Sequence, residues 1–390
     1  MSPLAKKEYL EKIRNRYKKA SKNEKQLILD EFCQVCNYNR KYAIRLINSK
    51  PSNQKSPGTR GRKTHYSDPM IKKVLTDIWV ATNLPCSKRL KALLPLWLPH
   101  YKETLPDLVY LQILSISPAS IDRMMKPDRD KFAKRGLSTT KPGSLLKKKI
   151  PVKTNQWDET QPGFVEVDSV AHCGTSMAGM FAFTINCVDI ATSWTEQRAV
   201  WGKGERGVLQ SIENIENSLP FDIQGFDCDN GSEFLNWHLY RYFVQRDKPI
   251  KFTRSRPYRK NDNAHVEGKN WTHIRQYLGY ERFDNIEIVQ QLNELYTSEW
   301  RLYFNFFIPS AKLVEKNRVG SKVIKKYDEP KTPFQRIKDS PYIDPEIKAV
   351  LQNKFDELNP FDLQKKMASK IKTIMKNVQK LSSAKPSNNE

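Results

Sequence analysis

Asp168, Asp229 and Glu267 are the side chains of this 390-residue chain best placed to do chemistry. Asp168 lies in GFVEVDSV, Asp229 closes DIQGFDCD just before Asn230 and Gly231, and Glu267 lies in NDNAHVEGKNWTHIRQYL. Carboxylate oxygens are hard donors, so three of them gathered together suit Mg²⁺ or Mn²⁺ rather than zinc. A carboxylate at the carboxyl end of a strand points into the crevice where open α/β sheets place their sites. Asp168 reads as lying near the end of its strand, and Asp229 at the mouth of another. Asp227 is on the same side of that strand by the period of two, which makes it a rival to Asp229. Taken singly, each aspartate also reads as a turn or cap residue. On a helix after Asn263, positions Ala264, Glu267, Trp271, Ile274 and Leu278 share one face. Glu267 is therefore expected in line with the stripe that packs on the sheet. A buried carboxylate costs several kcal/mol unless it is neutralised, paired or bound to metal. An ion pair with arginine is the structural alternative for Glu267.

The elements that must hold these groups follow from the pattern between 160 and 282. GFVEVDSV, GMFAFTINCVDI and SWTEQRAV read as three strands. GERGVLQSIENIENSL reads as an amphipathic helix with Val208, Leu209, Ile212 and Ile215 inward. DIQGFDCD is a fourth strand, SEFLNWHLYRYFVQR a helix and PIKFTRS a fifth strand. This order predicts an α/β core, a mixed five-stranded sheet with helices on its faces.

Charge divides the rest of the chain. The formal net charge is +24, and residues 1–150 hold 33 Lys and Arg against 12 Asp and Glu. Residues 151–282 hold 15 against 17. A strongly basic arm on a near-neutral core is the footprint of a polyanion binder. A basic surface without a partner would carry the same charge at a cost in self-repulsion. No run of eighteen apolar residues would span a bilayer, and the first residues lack the apolar stretch of a signal peptide. The expectation is a protein of the cytoplasm, associated with the nucleoid and with no membrane partner. Cys33 and Cys36 form a lone CxxC. A structural zinc site needs four ligands, so both are expected to be packing residues.

The organisation expected is as follows. Residues 1–50 carry a helix-turn-helix over 23–48, with Leu27, Ile28, Phe32 and Val35 apolar on its first helix. Arg40, Lys41 and Arg45 lie on its second, the helix that would enter a major groove. A plain helical hairpin gives the same stripes. Residues 51–67 are a basic linker whose Arg60 and Arg62 either reach a minor groove or stay solvated. Residues 68–126 read as a second helical DNA-binding subdomain, and 127–156 as a basic connector. Residues 157–282 are the core. Residues 283–390 begin with a long helix over 285–305. A small β-hairpin or barrel fragment, a basic helix through Leu363, Met367 and Ile371, and a disordered tail follow.

The order of these elements, with aspartate on the first strand, DNGSEF after the fourth and glutamate on the next helix, resembles the retroviral-integrase superfamily. More closely, it resembles the integrase-type DDE transposases of bacterial insertion sequences. SRPYRKNDNAHVEGKNW is similar to the family's approach to its glutamate, and the likeness covers about 157–282. The 38-residue step from Asp229 to Glu267 is close to the family's usual spacing. Two departures stand out. Gly268, a poor helix residue, follows the glutamate. The zinc-binding HHCC set of retroviral integrases is absent, which leaves its role to the helix-turn-helix. The resemblance implies an RNase-H-like core and a site of two Mg²⁺ or Mn²⁺ ions. Asp168 would bridge both ions, Asp229 would hold one and Glu267 the other. It also implies 3′-end cleavage followed by strand transfer, by a homo-oligomer on double-stranded element ends and target DNA. Arg254, Arg256, Arg259, Lys260 and Lys269 flank Glu267 and are expected to grip phosphates. His172 would either touch the scissile phosphate or be structural. Two rivals stand beside this reading. One is an RNase-H-like nuclease that cuts without joining. The other is a domesticated DNA-binding regulator without catalysis.

Overall fold

The computed structural model describes residues 1–49, 65–132, 159–228, 231–254 and 264–383. The chain divides into two units, Met1–Thr64 and His65–Glu390.

In the first unit, α1 (Pro3–Lys19), α2 (Lys22–Cys36) and α3 (Arg40–Asn48) bury Ile13, Ile28, Leu29, Phe32, Cys36, Ala43 and Ile47 against one another. Ser2 Oγ caps α1 by accepting from Ala5 N at 3.2 Å. Asn39 Oδ1 caps α3 by accepting from Lys41 N at 3.1 Å. Asn37, in the left-handed region at φ 52°, turns the chain between α2 and α3. The first helix is so rich in Lys and Arg that its pattern gave no signal, and its presence shifts the buried stripe of α2. Leu27 is 69 % exposed, while Leu29 and Cys36 take inward places. Cys33 and Cys36 are free thiols packed in this core, as expected.

The second unit is built on a five-stranded sheet. Its strands are β1 (Phe164–Ala171), β2 (Ala182–Asp189), β3 (Thr195–Trp201), β4 (Gly225–Cys228) and β5 (Lys251–Arg254), in the order β3-β2-β1-β4-β5. β1 pairs antiparallel with β2, and β2 with β3; β1 pairs parallel with β4, and β4 with β5. This is the topology of an RNase-H-like core. The helices α8 (Glu205–Glu216) and α9 (Trp237–Val244) cover one face. There Val208, Ile212, Leu239 and Phe243 pack with Val165, Val167, Phe226 and Cys228.

The opposite face carries the helix expected to hold Glu267. It starts as α10 (Ala264–Lys269), widens into a π-helical stretch (Asn270–Arg275) and ends in a last turn, α11 (Gln276–Leu278). The π-helical stretch changes the phase of the face. Ile274 and Leu278 are buried as predicted, but Trp271 is 50 % exposed and Glu267 faces solvent. The expected single stripe is therefore broken at the π-helical stretch.

The helices expected as a separate subdomain are α4 (Pro69–Ala81), α5 (Ser87–Trp97), α6 (Asp107–Ser115) and α7 (Pro118–Phe132). They share one core with α12 (Ile286–Leu295) and α13 (Arg301–Phe307). Trp97 Nε1 donates to Phe307 O at 3.3 Å, and Tyr303 Oη to Ala81 O at 3.2 Å. The expected hairpin is β6 (Leu313–Val319) with β7 (Lys322–Tyr327). The unit closes with α14 (Pro333–Asp339), α15 (Pro345–Asp356) and α16 (Pro360–Ser383). Leu363 and Met367 of α16 join the same core, with Ile371 packed beside them.

Candidate active site

Alternation along β1 sets the site. Val165 and Val167 point to the α8–α9 side, so Glu166 and Asp168 point to the side of α10. Asp168 lies in mid-strand, three residues before the end of β1, and not near its end as the pattern had suggested. It directly follows Val167, which pairs in parallel with Cys228 of β4. Asp168 is half-buried. Its Oδ2 accepts from Asn270 Nδ2 at 2.6 Å, and its Oδ1 from Ser169 N at 2.7 Å. Asn270 Oδ1 in turn accepts from Asn186 Nδ2 at 2.7 Å, and Asn186 Oδ1 from Gln197 Nε2 at 2.9 Å. A polar chain thus runs from β3 through β2 and the helix to the Asp168 carboxylate.

Glu267, exposed, lies one helical turn before Asn270, the residue that bonds Asp168. Glu166 fixes the start of that helix. Its Oε2 accepts from His265 N at 2.9 Å and from Val266 N at 3.0 Å. Burial pushes the Glu166 carboxyl up to about 8; the two N–H bonds oppose the rise, and Asp227 and Glu267 add to it. Glu166 stands opposite Asp227 in the β1–β4 register. Asp227 is buried and accepts from Thr253 Oγ1 at 2.5 Å. Its rival Asp229 follows Cys228 directly and lies outside the described residues. The loop after it is anchored by the second half of DNGSEF. Glu233 is buried, accepts from Ser169 Oγ at 3.0 Å and pairs with Lys203, and Phe234 is fully buried.

Sequence reasoning missed Glu166, Asn270 and Glu233. A glutamate two residues from Asp168 in an otherwise apolar run was the available sign of the first. His172 takes the structural role. It is fully buried, bonds Thr184 Oγ1 at 2.8 Å and stacks on Phe283 at 4.5 Å between ring centroids. Burial, helped by Arg275, pushes its imidazole down to about 3.

The expected phosphate-binding residues fall in different places. Arg60, Arg62, Arg256, Arg259 and Lys260 lie outside the described residues. Arg254 is exposed at the end of β5. On α3, Lys41 and Arg45 are exposed, and Arg40 pairs with Asp30. Lys269 is only 8 % exposed and lines a cavity instead of the open face. Burial, with Arg89 and Arg336 nearby, pushes its ammonium down to about 7.

Among the described residues, no three His, Cys, Asp or Glu side chains form a group able to hold a metal ion. The third carboxylate of the expected set is Asp229, beyond those residues. The donors that are described, Asp168 and Glu267, are hard oxygens without sulfur or imidazole beside them in the set, which suits Mg²⁺.

The strand order defines an RNase-H-like core, with Glu166, Asp168 and Asp227 on the face toward α10. The chain belongs to the same family as the uncharacterized protein y4rM of Sinorhizobium fredii (strain NBRC 101917 / NGR234). The two are 39 % identical over 336 residues, which span 84 % of this chain and 94 % of that protein. No family model matches the chain. Among solved structures, similarity is found to the catalytic core domain of BIV integrase, at 15 % identity and a TM-score of 0.25. It covers 37 % of this chain and 83 % of that one. A simian T-cell lymphotropic virus intasome in complex with PP2A regulatory subunit B56 gamma is also similar, at 13 % identity and a TM-score of 0.30. There the cover is 44 % of this chain and 69 % of that one. At such scores the fold rests on the strand order itself. No described helix is long and apolar enough to cross a membrane.

Proposed function

We propose that this chain is a DNA transposase of the integrase type, which cleaves 3′ ends of an element and joins them to target DNA. One observation carries the reading: the hydrogen bond from Asn270 to Asp168, which ties the helix of Glu267 to the strand of Asp168. Beside that strand, β4 leads directly into Asp229. Asp168, Asp229 and Glu267 are the proposed ligands of two Mg²⁺ or Mn²⁺ ions. When bound, such a pair activates the attacking oxygen and stabilises charge on the leaving one. Asn270 and the Ser169 N–H hold the Asp168 carboxylate in one orientation. Glu166 pins the first turn of α10 and so fixes where Glu267 stands. The first unit, with Lys41 and Arg45 exposed on α3, supplies contact to the DNA of the element ends, and copies of the chain act together on paired ends.

Single replacements Asp168→Asn, Asp229→Asn and Glu267→Gln test this. Each keeps the side-chain shape and removes a charge. Cleavage and joining of end DNA should fall by about three orders of magnitude or more, several kcal/mol in the transition state. DNA affinity should persist. Near-normal cleavage by all three variants would remove the catalytic reading. Loss in Asp227→Asn with near-normal Asp229→Asn would move the ligand to Asp227.

A further inference from the structure

The helix that carries Glu267 has a second lined face. His265, Gly268, Lys269, Thr272 and His273 recur every three or four residues and border a cavity of about 960 Å³. Its other walls are Lys88 and Arg89 of α5, Ser310 to Lys312, and the β6–β7 hairpin with Lys325 and Lys326. Cations dominate this lining. Of its two acids, Asp328 already pairs with Arg336 at 2.6 Å, and Glu315 is exposed. Lys269 is buried, and its Nζ bonds the Nε2 of buried His273 at 3.4 Å. Arg89 Nε donates to Pro309 O at 2.9 Å, and Lys312 Nζ to Ala191 O at 2.8 Å. Among the described residues, Lys269 and Arg89 form no ion pair, the carboxylates of Asp189 and Asp328 partly offset the burial of the Lys312 ammonium, and the buried Ser310 Oγ has no hydrogen-bond partner.

A buried amine with no counter-charge costs several kcal/mol if it stays charged, and either gives up its proton or is met by an anion. A chain that only needed packing at position 269 would be served by Leu or Met. Gly268 adds space: a Cβ there would meet nothing within 4 Å. The volume is that of a small-ligand pocket and is far larger than one phosphate needs.

We propose that this cavity is an anion site for a ligand carrying several phosphate groups, held by Lys269, Arg89 and Lys312 with Ser310 Oγ as a further donor. It is separate from the carboxylate site, on another face of the same helix. The phosphates belong either to a nucleic acid strand or to a free oligophosphate, and both sources present the same chemistry to these donors.

The test uses the full chain with metal chelated, so that it is independent of cleavage. Binding of inorganic tripolyphosphate and of a four-nucleotide oligothymidylate is measured by calorimetry, with melting temperature followed in parallel. The expected result is that at least one probe binds and raises the melting temperature. Lys269→Met should weaken that binding tenfold or more, while Lys372→Met, an equal charge change at an exposed position of α16, should weaken it less than twofold. Without ligand, Lys269→Met should melt at or above the parent temperature. Preference for tripolyphosphate assigns a free ligand, and preference for oligothymidylate assigns a strand. Should Lys269→Met not fold, Lys312→Met and Gly268→Leu carry the same expectation, the second by filling the space. Equal losses in the cavity variants and Lys372→Met, or no binding of either probe, would overturn the site.

Discussion

Asn270 Nδ2 lies 2.6 Å from Asp168 Oδ2, and the same amide accepts from Asn186 through its oxygen. Both ends of the Asn270 side chain are therefore committed, which leaves it one orientation. A carboxylate held this way is already aimed before any ligand arrives, and groups that orient a ligand-bearing residue typically matter tenfold to a hundredfold. Asn270→Ala should lower end cleavage by about ten- to a hundredfold and raise the Mg²⁺ concentration needed. DNA affinity should stay as it was. Asn186→Ala, one step further away, should show the same signs with a smaller loss. Unchanged metal dependence in Asn270→Ala would show that Asp168 does not need this support.

Glu166 acts on the helix rather than on the ligand. Its carboxyl accepts the N–H groups of His265 and Val266, which are among the donors a helix start leaves without intrahelical partners. Glu166→Ala strands both in a buried place, at about 1–3 kcal/mol for each unmet group. Glu166→Gln keeps an acceptor oxygen and should cost much less. Denaturant melts of the two variants should separate by at least about 1 kcal/mol. Amide exchange at 265 and 266 should speed up in Glu166→Ala alone.

His172 gives a pH dependence with a defined sign. Its folded pKa, about 3, lies below the ordinary histidine value because burial disfavours the imidazolium. Its contribution is fully present above the unfolded pKa of about 6.5 and is lost as pH falls from there toward 3. Against His172→Gln, the parent should lose stability below pH 6.5 by about 1.4 kcal/mol per pH unit. Parallel stability curves for the two proteins between pH 7 and pH 5 would show that His172 is not held neutral.

The core was legible because GFVEVDSV alternates, the other strands are short runs between turns, and the turns carry Gly, Asn and Asp. Asp168 stood out by its expected place near a strand end, and Glu267 as a charge in line with an apolar helix stripe, although in the fold Glu267 is exposed. The π-helical stretch was not legible: Trp271 is as apolar as Ile274, and only the widened backbone turns one outward and the other inward. Asn270 was missed because an asparagine three residues after a glutamate looks like any polar helix face. What gives it meaning is a partner 102 residues away. Lys269 read as a surface cation for the same reason. Its burial depends on α5 and the β6–β7 hairpin, which no local window contains. The helices α14 and α15 were also missed, because they are short segments among prolines and charges.

The apolar faces of α4 to α7 read as a subdomain because each is a proper amphipathic stripe. In the folded unit Trp79, Leu90, Leu94 and Trp97 pack in the cluster that holds Trp300, Tyr303, Phe304 and Phe307. Each such side chain contributes about 1.5–3 kcal/mol when fully buried. A fragment of residues 1–132 removes those partners and should leave this apolar surface open. It should bind a hydrophobic dye and aggregate, while its first three helices stay folded. The fragment 1–64 keeps its own core of Ile13, Ile28, Phe32 and Ile47 intact and should be soluble and helical. It should bind duplex DNA with an affinity that falls as salt rises, and Lys41→Ala and Arg45→Ala should each reduce the log–log salt slope by about 1. Circular dichroism, dye binding and a salt series on the two fragments check this together. A well-folded, dye-free 1–132 fragment would show that the second set of helices stands alone after all.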